Sequence, residues 1–254
     1  MKKHIVLILF LLIVIYGCYK DENIISIDSV SETTDLDVDF DTEVVDQEGE
    51  IKKDLKLLSL GDSYTIGTSV CETCSYPEQL RSNLISMLGS DMKIELDILA
   101  TNGWTTADLI KGYETNKLLN DYDLVTLLIG VNNQYQGIQF SVFKKEFEDL
   151  IEKTIISANN DETSVIVLSI PDYAYTPFGN QSEVISKDID RYNLFTSQYC
   201  LAKGITYLDI TDISREGIEN PKLVASDNLH LSKFAYKKFV ERLLPVVLKK
   251  LPRE

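Results

Sequence analysis

Two short segments at opposite ends of the chain carry groups that could act together on a carbonyl carbon. Ser63 stands in Ser59-Leu60-Gly61-Asp62-Ser63-Tyr64-Thr65, directly after a short apolar run. A hydroxyl at a strand-to-loop turn can be presented as a nucleophile once a neighbouring base takes its proton. The segment is not the G-x-S-x-G elbow, because Thr65 occupies the place of the last glycine. His230 closes Ser226-Asp227-Asn228-Leu229-His230 and is one of two histidines, the other being His4. Imidazole titrates near neutrality, and a carboxylate three residues earlier could orient it through its second ring nitrogen. Each segment also has an ordinary reading: a turn serine on one side, a helix-capping Asp227 beside an incidental His230 on the other.

Between them lie Asn102-Gly103-Trp104 and Gly130-Val131-Asn132-Asn133. A backbone N–H at a flexible glycine and a side-chain amide could both serve an oxyanion, although Asn-Gly and Gly-x-Asn are equally at home in plain turns. The four segments together, in this order, closely resemble the SGNH hydrolases, also called GDSL-type esterases and lipases, over roughly residues 55–250. The resemblance implies Ser63 as nucleophile, His230 as base and Asp227 as its orienting acid. It implies an oxyanion hole made by the N–H of Ser63, the N–H of Gly103 and the amide of Asn132, with no cofactor and no metal. The fold it implies is a three-layer α/β/α sandwich around a five-stranded parallel sheet. One departure stands out: Asn133 replaces the Asp that commonly ends the third segment, which puts the role of that acid in doubt. The expected activity is a serine ester hydrolase removing acetyl or longer acyl groups from a carbohydrate or lipid ester. Two rivals are an O-acyltransferase using the same site and a silent glycan-binding lipoprotein.

The elements that must position these groups can be read independently of the resemblance. Apolar runs predict strands at Lys56–Leu60, Lys93–Ala100, Asp123–Ile129, Ser164–Ile170 and Ile205–Ile210. The near-continuous Leu124-Val125-Thr126-Leu127-Leu128-Ile129 is what a strand buried on both faces requires. Helical spacing predicts helices over Tyr76–Leu88, Thr105–Lys117, Ile138–Ala158 and Ser186–Lys203, and a last one from Ser232 that Pro245 should kink or end. Strands alternating with helices of this length predict a parallel sheet covered on both faces. Ligands of such sheets meet the carboxyl ends of the strands, and each segment above follows a predicted strand or lies in the last loop.

Composition narrows the class. The 254 residues are 44% hydrophobic with a net charge of −15, which speaks against a nucleic-acid partner bound through a basic face. Residues 21–50 hold twelve acids and no base, so most of the charge sits in one stretch. Lys2 and Lys3, the apolar run Ile5–Tyr16 and Gly17-Cys18 read as an export signal. Ile15-Tyr16-Gly17-Cys18 resembles a bacterial lipobox, which implies cleavage after residue 17, lipid on Cys18 and a membrane anchor. Tyr19-Lys20-Asp21-Glu22 resembles a signal that sends lipoproteins to the outer membrane and its outer face. Residues 18–50 are expected to form an extended acidic tether and 51–254 the hydrolase body. In an oxidising compartment Cys71 and Cys74 are expected to form a local disulfide, with Cys200 in the core. Trp104 is a candidate pocket wall, and Tyr173 and Tyr175 in Pro171–Phe178 are candidate substrate contacts, though ordinary packing explains all three as well.

Overall fold

Apolar runs of four to eight residues and amphipathic stretches of ten to twenty must bury one another, and they do so in layers. The computed structural model describes residues 49–52 and 54–253. The export segment, Cys18 and nearly all of the acidic stretch lie outside the described residues. Five strands, β1 (Asp54–Gly61), β2 (Lys93–Ala100), β3 (Leu124–Leu128), β4 (Val165–Leu168) and β5 (Thr206–Leu208), form one parallel sheet in the order β2-β1-β3-β4-β5. β3 and β4 are buried along their whole length, as their unbroken apolar sequences require.

Helices fill both faces. α1 (Ser63–Ile66) and α2 (Tyr76–Leu88) follow β1, and α3 (Thr106–Thr115) follows β2. α4 (Val131–Tyr135) and α5 (Phe140–Ser157) follow β3, α6 (Glu183–Ala202) follows β4, and α7 (Thr211–Arg215) and α8 (Lys233–Lys250) follow β5. The step from β1 to β2 and the step from β2 to β3 run in opposite directions across the sheet. Right-handed crossovers therefore place α2 on one face and α3 on the other. α8 returns to pack on α2, while α3 and α6 both contact α5. An aromatic layer welds α5 to α6, with Phe143 and Tyr192 ring centroids 4.4 Å apart.

The reversal puts the switch point of the sheet between β1 and β3, where ligands of open parallel sheets bind. Register makes the strand ends level there: Gly61 lies opposite both Ala100 of β2 and Leu128 of β3. A Cβ at Gly61 would come within 2.3 Å of the Leu128 carbonyl oxygen and 2.1 Å of Thr65 Oγ1, so only glycine lets the chain leave the sheet here.

The expected strand and helix positions match the structure apart from their ends. α8 continues through Pro245 to Lys250, so of the two expected outcomes, a kink or an end, the helix does not end there. Pro245 sits on the exposed side, so water can satisfy the carbonyl it orphans at exposed Glu241, while Leu243 and Val247 stay anchored in the core. The three single-turn helices α1, α4 and α7 fall where the sequence suggested loops.

Candidate active site

Because three strands end level, the residues just past them converge. A cavity of about 310 Å³ is lined by Ser63 after β1, Asn102 and Gly103 after β2, Val131 and Asn132 after β3, and Leu229 and His230 from the last loop. Tyr64, Tyr135, Gln136, Tyr173 and Phe178 complete it.

Ser63 is the first residue of α1, where a helix leaves its N–H groups without internal acceptors. The turn is held from below by Asp62, whose Oδ1 accepts the Tyr64 N–H at 3.0 Å. Asp62 is fully buried, and its Oδ2 has no partner among the described residues. Burial pushes this carboxyl up from 3.8 to about 7. Between those two values the folded protein keeps a proton that the unfolded chain has lost, so stability falls as pH rises through this window. The Asp62→Asn variant lacks that dependence. Relative to wild type it should gain on the order of 2–4 kcal/mol between pH 4 and pH 8 in urea unfolding. A constant difference across that range would mean that Asp62 is already ionised at low pH.

His230 is 9% exposed and is held by a turn made from Asp227 itself. Asp227 Oδ1 accepts the backbone N–H of Leu229 at 3.0 Å and of His230 at 2.9 Å. Asn228 takes a left-handed φ of 65° to close this turn. Asp227 Oδ2 lies 2.7 Å from His230 Nδ1 and also accepts the Ser69 hydroxyl at 2.5 Å. A carboxylate can only accept, so Nδ1 carries the hydrogen and Nε2 keeps a free lone pair. Partial burial pushes the Asp227 carboxyl up. Hydrogen bonds from Ser69, Leu229 and His230 outweigh that and hold it well below the usual carboxylate range. Among the described residues no hydrogen bond joins Ser63 to His230. Such a contact is often long without substrate and tightens when one binds.

Gly103 has φ +82° with open space around it, so glycine is needed there for the backbone conformation and not for room. Asn132 Nδ2 donates to the Trp104 carbonyl at 3.0 Å, which fixes the amide and leaves its second hydrogen for another acceptor. Asn133 is fully buried and ties this loop to the start of α3. Its Oδ1 accepts the Thr106 N–H at 3.0 Å, and its Nδ2 donates to Thr106 Oγ1 at 2.6 Å. Thr106 Oγ1 then gives its own hydrogen to Glu146 at 2.5 Å. A carboxylate at 133 would compete with Glu146 for that single hydrogen, so the amide at 133 and the acid at 146 are matched.

Two aromatic expectations need correction. Trp104 does not line the cavity: its ring lies on α3, so close that a Cβ at Gly112 would meet Cη2 at 2.5 Å. It serves the site through its carbonyl, which holds Asn132. Tyr175 is also off the cavity and packs under the Arg215 guanidinium, 6.0 Å from the ring centroid. Tyr173 does line the cavity, and its hydroxyl donates to Gln134 at 2.8 Å. Phe178, the last aromatic of the Pro171–Phe178 loop, lines the cavity too, and the sequence reading missed Tyr135; the two residues are 50% and 59% exposed and their rings meet at 6.1 Å on the cavity rim. The signal in the sequence was position: Tyr135 follows Asn132 by three residues, in the same segment past β3. Cys71 and Cys74 are disulfide-bonded. Cys200 is free and buried, and burial pushes its thiol up to about 12, which leaves it inert.

A parallel α/β/α sandwich with a serine, an Asp-held imidazole and amide donors at its switch point defines the hydrolase class. The sequence signature of the GDSL-like lipase/acylhydrolase family spans residues 59–238, and the chain belongs to that family. No curated protein sequence matches it. Among solved structures, it resembles a lipase/acylhydrolase from Enterococcus faecalis at 18% identity and a TM-score of 0.63, covering 79% of this chain and 98% of that one. A member of the lipolytic G-D-S-L family from Veillonella parvula matches at 15% identity and 0.63, covering 77% and 99%. An acetylxylan esterase from Geobacillus stearothermophilus matches at 19% identity and 0.59, covering 78% and 96%. The enzyme is therefore a hydrolase of ester substrates with the fold its sequence implied.

Proposed function

We propose that Ser63 is the nucleophile of a two-step ester hydrolysis. The observation that carries this reading is the Asp227–His230 pair, fixed in one tautomer in the cavity that Ser63 lines. Nε2 of His230 takes the Ser63 proton as Oγ bonds to the ester carbonyl carbon. The resulting oxyanion is held by the N–H of Ser63, the N–H of Gly103 and the amide of Asn132. The imidazolium passes its proton to the leaving alcohol as the C–O bond breaks, leaving an acyl-serine. Water, deprotonated by the same nitrogen, then frees the acid and returns the proton to Ser63. Asn132→Ala should lower kcat by roughly 100-fold or more, as loss of one oxyanion donor does elsewhere. A loss confined to KM would assign the amide to substrate binding instead.

The acyl group comes from a carbohydrate or a lipid, with an acetylated glycan favoured. The cavity, at about 310 Å³, is small for a ligand site and suits a short acyl group better than a long one. The exposed faces of Tyr135 and Phe178 offer apolar surface to a bulky alcohol portion, and one structural relative is named for acetylxylan. Short- and long-chain nitrophenyl esters, assayed beside acetylated polysaccharides with Ser63→Ala as control, test this. Preference for the longest chains would place the substrate among lipids.

The enzyme is further proposed to be an envelope lipoprotein of the outer membrane, facing the surface or the periplasm, anchored through Cys18 with residues 18–50 as tether. The lipobox-like Ile15-Tyr16-Gly17-Cys18 supports this. Metabolic palmitate labelling should be lost in Cys18→Ser, and persistent labelling would refute lipidation at that residue.

A further inference from the structure

Ser63 and His230 come from opposite ends of the body, so something must fix the distance between their segments. The chain leaving Ser63 supplies a direct tie. The Ser63 carbonyl accepts the N–H groups of Gly67 and Thr68, each at 3.0 Å, which folds the segment back on itself. Val70 N–H then bonds the Gly67 carbonyl at 3.2 Å, and the Cys71–Cys74 disulfide follows at once. Inside this brace Ser69 adopts φ +67°, a left-handed conformation that a serine rarely takes. Strain of this kind persists where the surroundings impose it, and it gathers at functional sites. Its result is that Ser69 Oγ reaches Asp227 Oδ2 at 2.5 Å, the same oxygen that faces His230 Nδ1 at 2.7 Å.

We propose that Ser69 is a positioning residue, its hydroxyl fixing Asp227 and thereby the imidazole of His230 against the segment that carries Ser63. The proposal rests on the acyl-enzyme reading above. Three things follow from the geometry. The Asp227 carboxylate has two hydrogen-bonded oxygens and little freedom to rotate away from the ring. This polar contact links the two halves of the machinery across 158 residues of sequence. The left-handed backbone at Ser69 aims that contact, and the disulfide two residues on keeps the loop from relaxing.

Two substitutions separate this role from a merely structural one, because they move stability and the hydroxyl in opposite directions. Ser69→Gly removes the hydroxyl and relieves the left-handed strain, so the fold should be kept or strengthened. Ser69→Thr keeps the hydroxyl and worsens the strain, since a β-branched residue fits that conformation poorly. With a short-chain nitrophenyl ester, Ser69→Gly should lose about tenfold in kcat with KM changed by less than about twofold. Ser69→Thr should recover most of that kcat despite a lower unfolding midpoint. Full kcat in Ser69→Gly, or kcat following stability across the two variants, overturns the proposal. Ser63→Ala is run alongside. If Ser63→Ala is also active, the acyl-enzyme reading has failed; if it is inactive while Ser69→Gly is unimpaired, only the role of Ser69 has.

Discussion

Replacing Ser63 with alanine should lower ester hydrolysis by between about a thousandfold and a millionfold, the range seen when serine hydrolases lose their nucleophile. The substitution is clean. Ser63 is 3% exposed, its side chain makes no hydrogen bond to another described residue, and the α1 turn is capped by Asp62. Removing Oγ therefore deletes the atom that bonds the acyl carbon and little else, and unfolding by urea should change by less than about 1 kcal/mol. What remains is catalysis by the oxyanion donors and substrate binding alone. A folded Ser63→Ala protein with near-wild-type rates on the panel of esters would remove Ser63 from the chemistry.

Asp227→Asn should cost roughly 10,000-fold in kcat, the size of effect known for an orienting acid in another serine hydrolase. The structure gives the reason for this chain. Oδ1 accepts two backbone N–H groups, from Leu229 and His230. An amide in this place must keep its oxygen on that side, because turning it would set an NH2 group against two donors. Its NH2 group then faces His230 Nδ1, which can only accept from it. The ring is driven to the tautomer with hydrogen on Nε2, the atom that has to receive the Ser63 proton. The fold and KM should be little changed, which distinguishes a wrong tautomer from a collapsed site. A loss of less than about tenfold would mean that the imidazole finds its working tautomer without Asp227.

Much of this site was legible because three strands end in register. Ser63, Gly103 and Asn132 follow their strands by two to four residues, so predicting β1, β2 and β3 already brings them to one edge. The Asp227–His230 pair was legible because its spacing of three residues matches one turn. Side-chain direction was not. Trp104 sits beside Gly103 in sequence, yet its ring follows the small Gly112 on α3, a complementarity visible only once α3 is placed. Tyr173 and Tyr175 differ by two residues in one 3-10 turn and so diverge, one to the cavity and one to Arg215. Nothing in its type or spacing singles out Ser69, because its meaning depends on a contact made across the fold. The replacement at Asn133 likewise made sense only with Thr106 and Glu146 in view. Whether Pro245 would end α8 depended on its exposure, because on the solvent side water can reach the carbonyl four residues earlier and the helix continues.

The most direct test of Ser63 and His230 acting together is covalent trapping. Treating the wild-type enzyme with a serine-directed fluorophosphonate and mapping the adduct by tandem mass spectrometry should yield one modification, on Ser63. Labelling should be absent in Ser63→Ala and strongly slowed when His230 is replaced by alanine, because an unassisted hydroxyl is a poor nucleophile. An adduct at another residue, or an enzyme that resists the reagent while turning over esters at full rate, would contradict the mechanism.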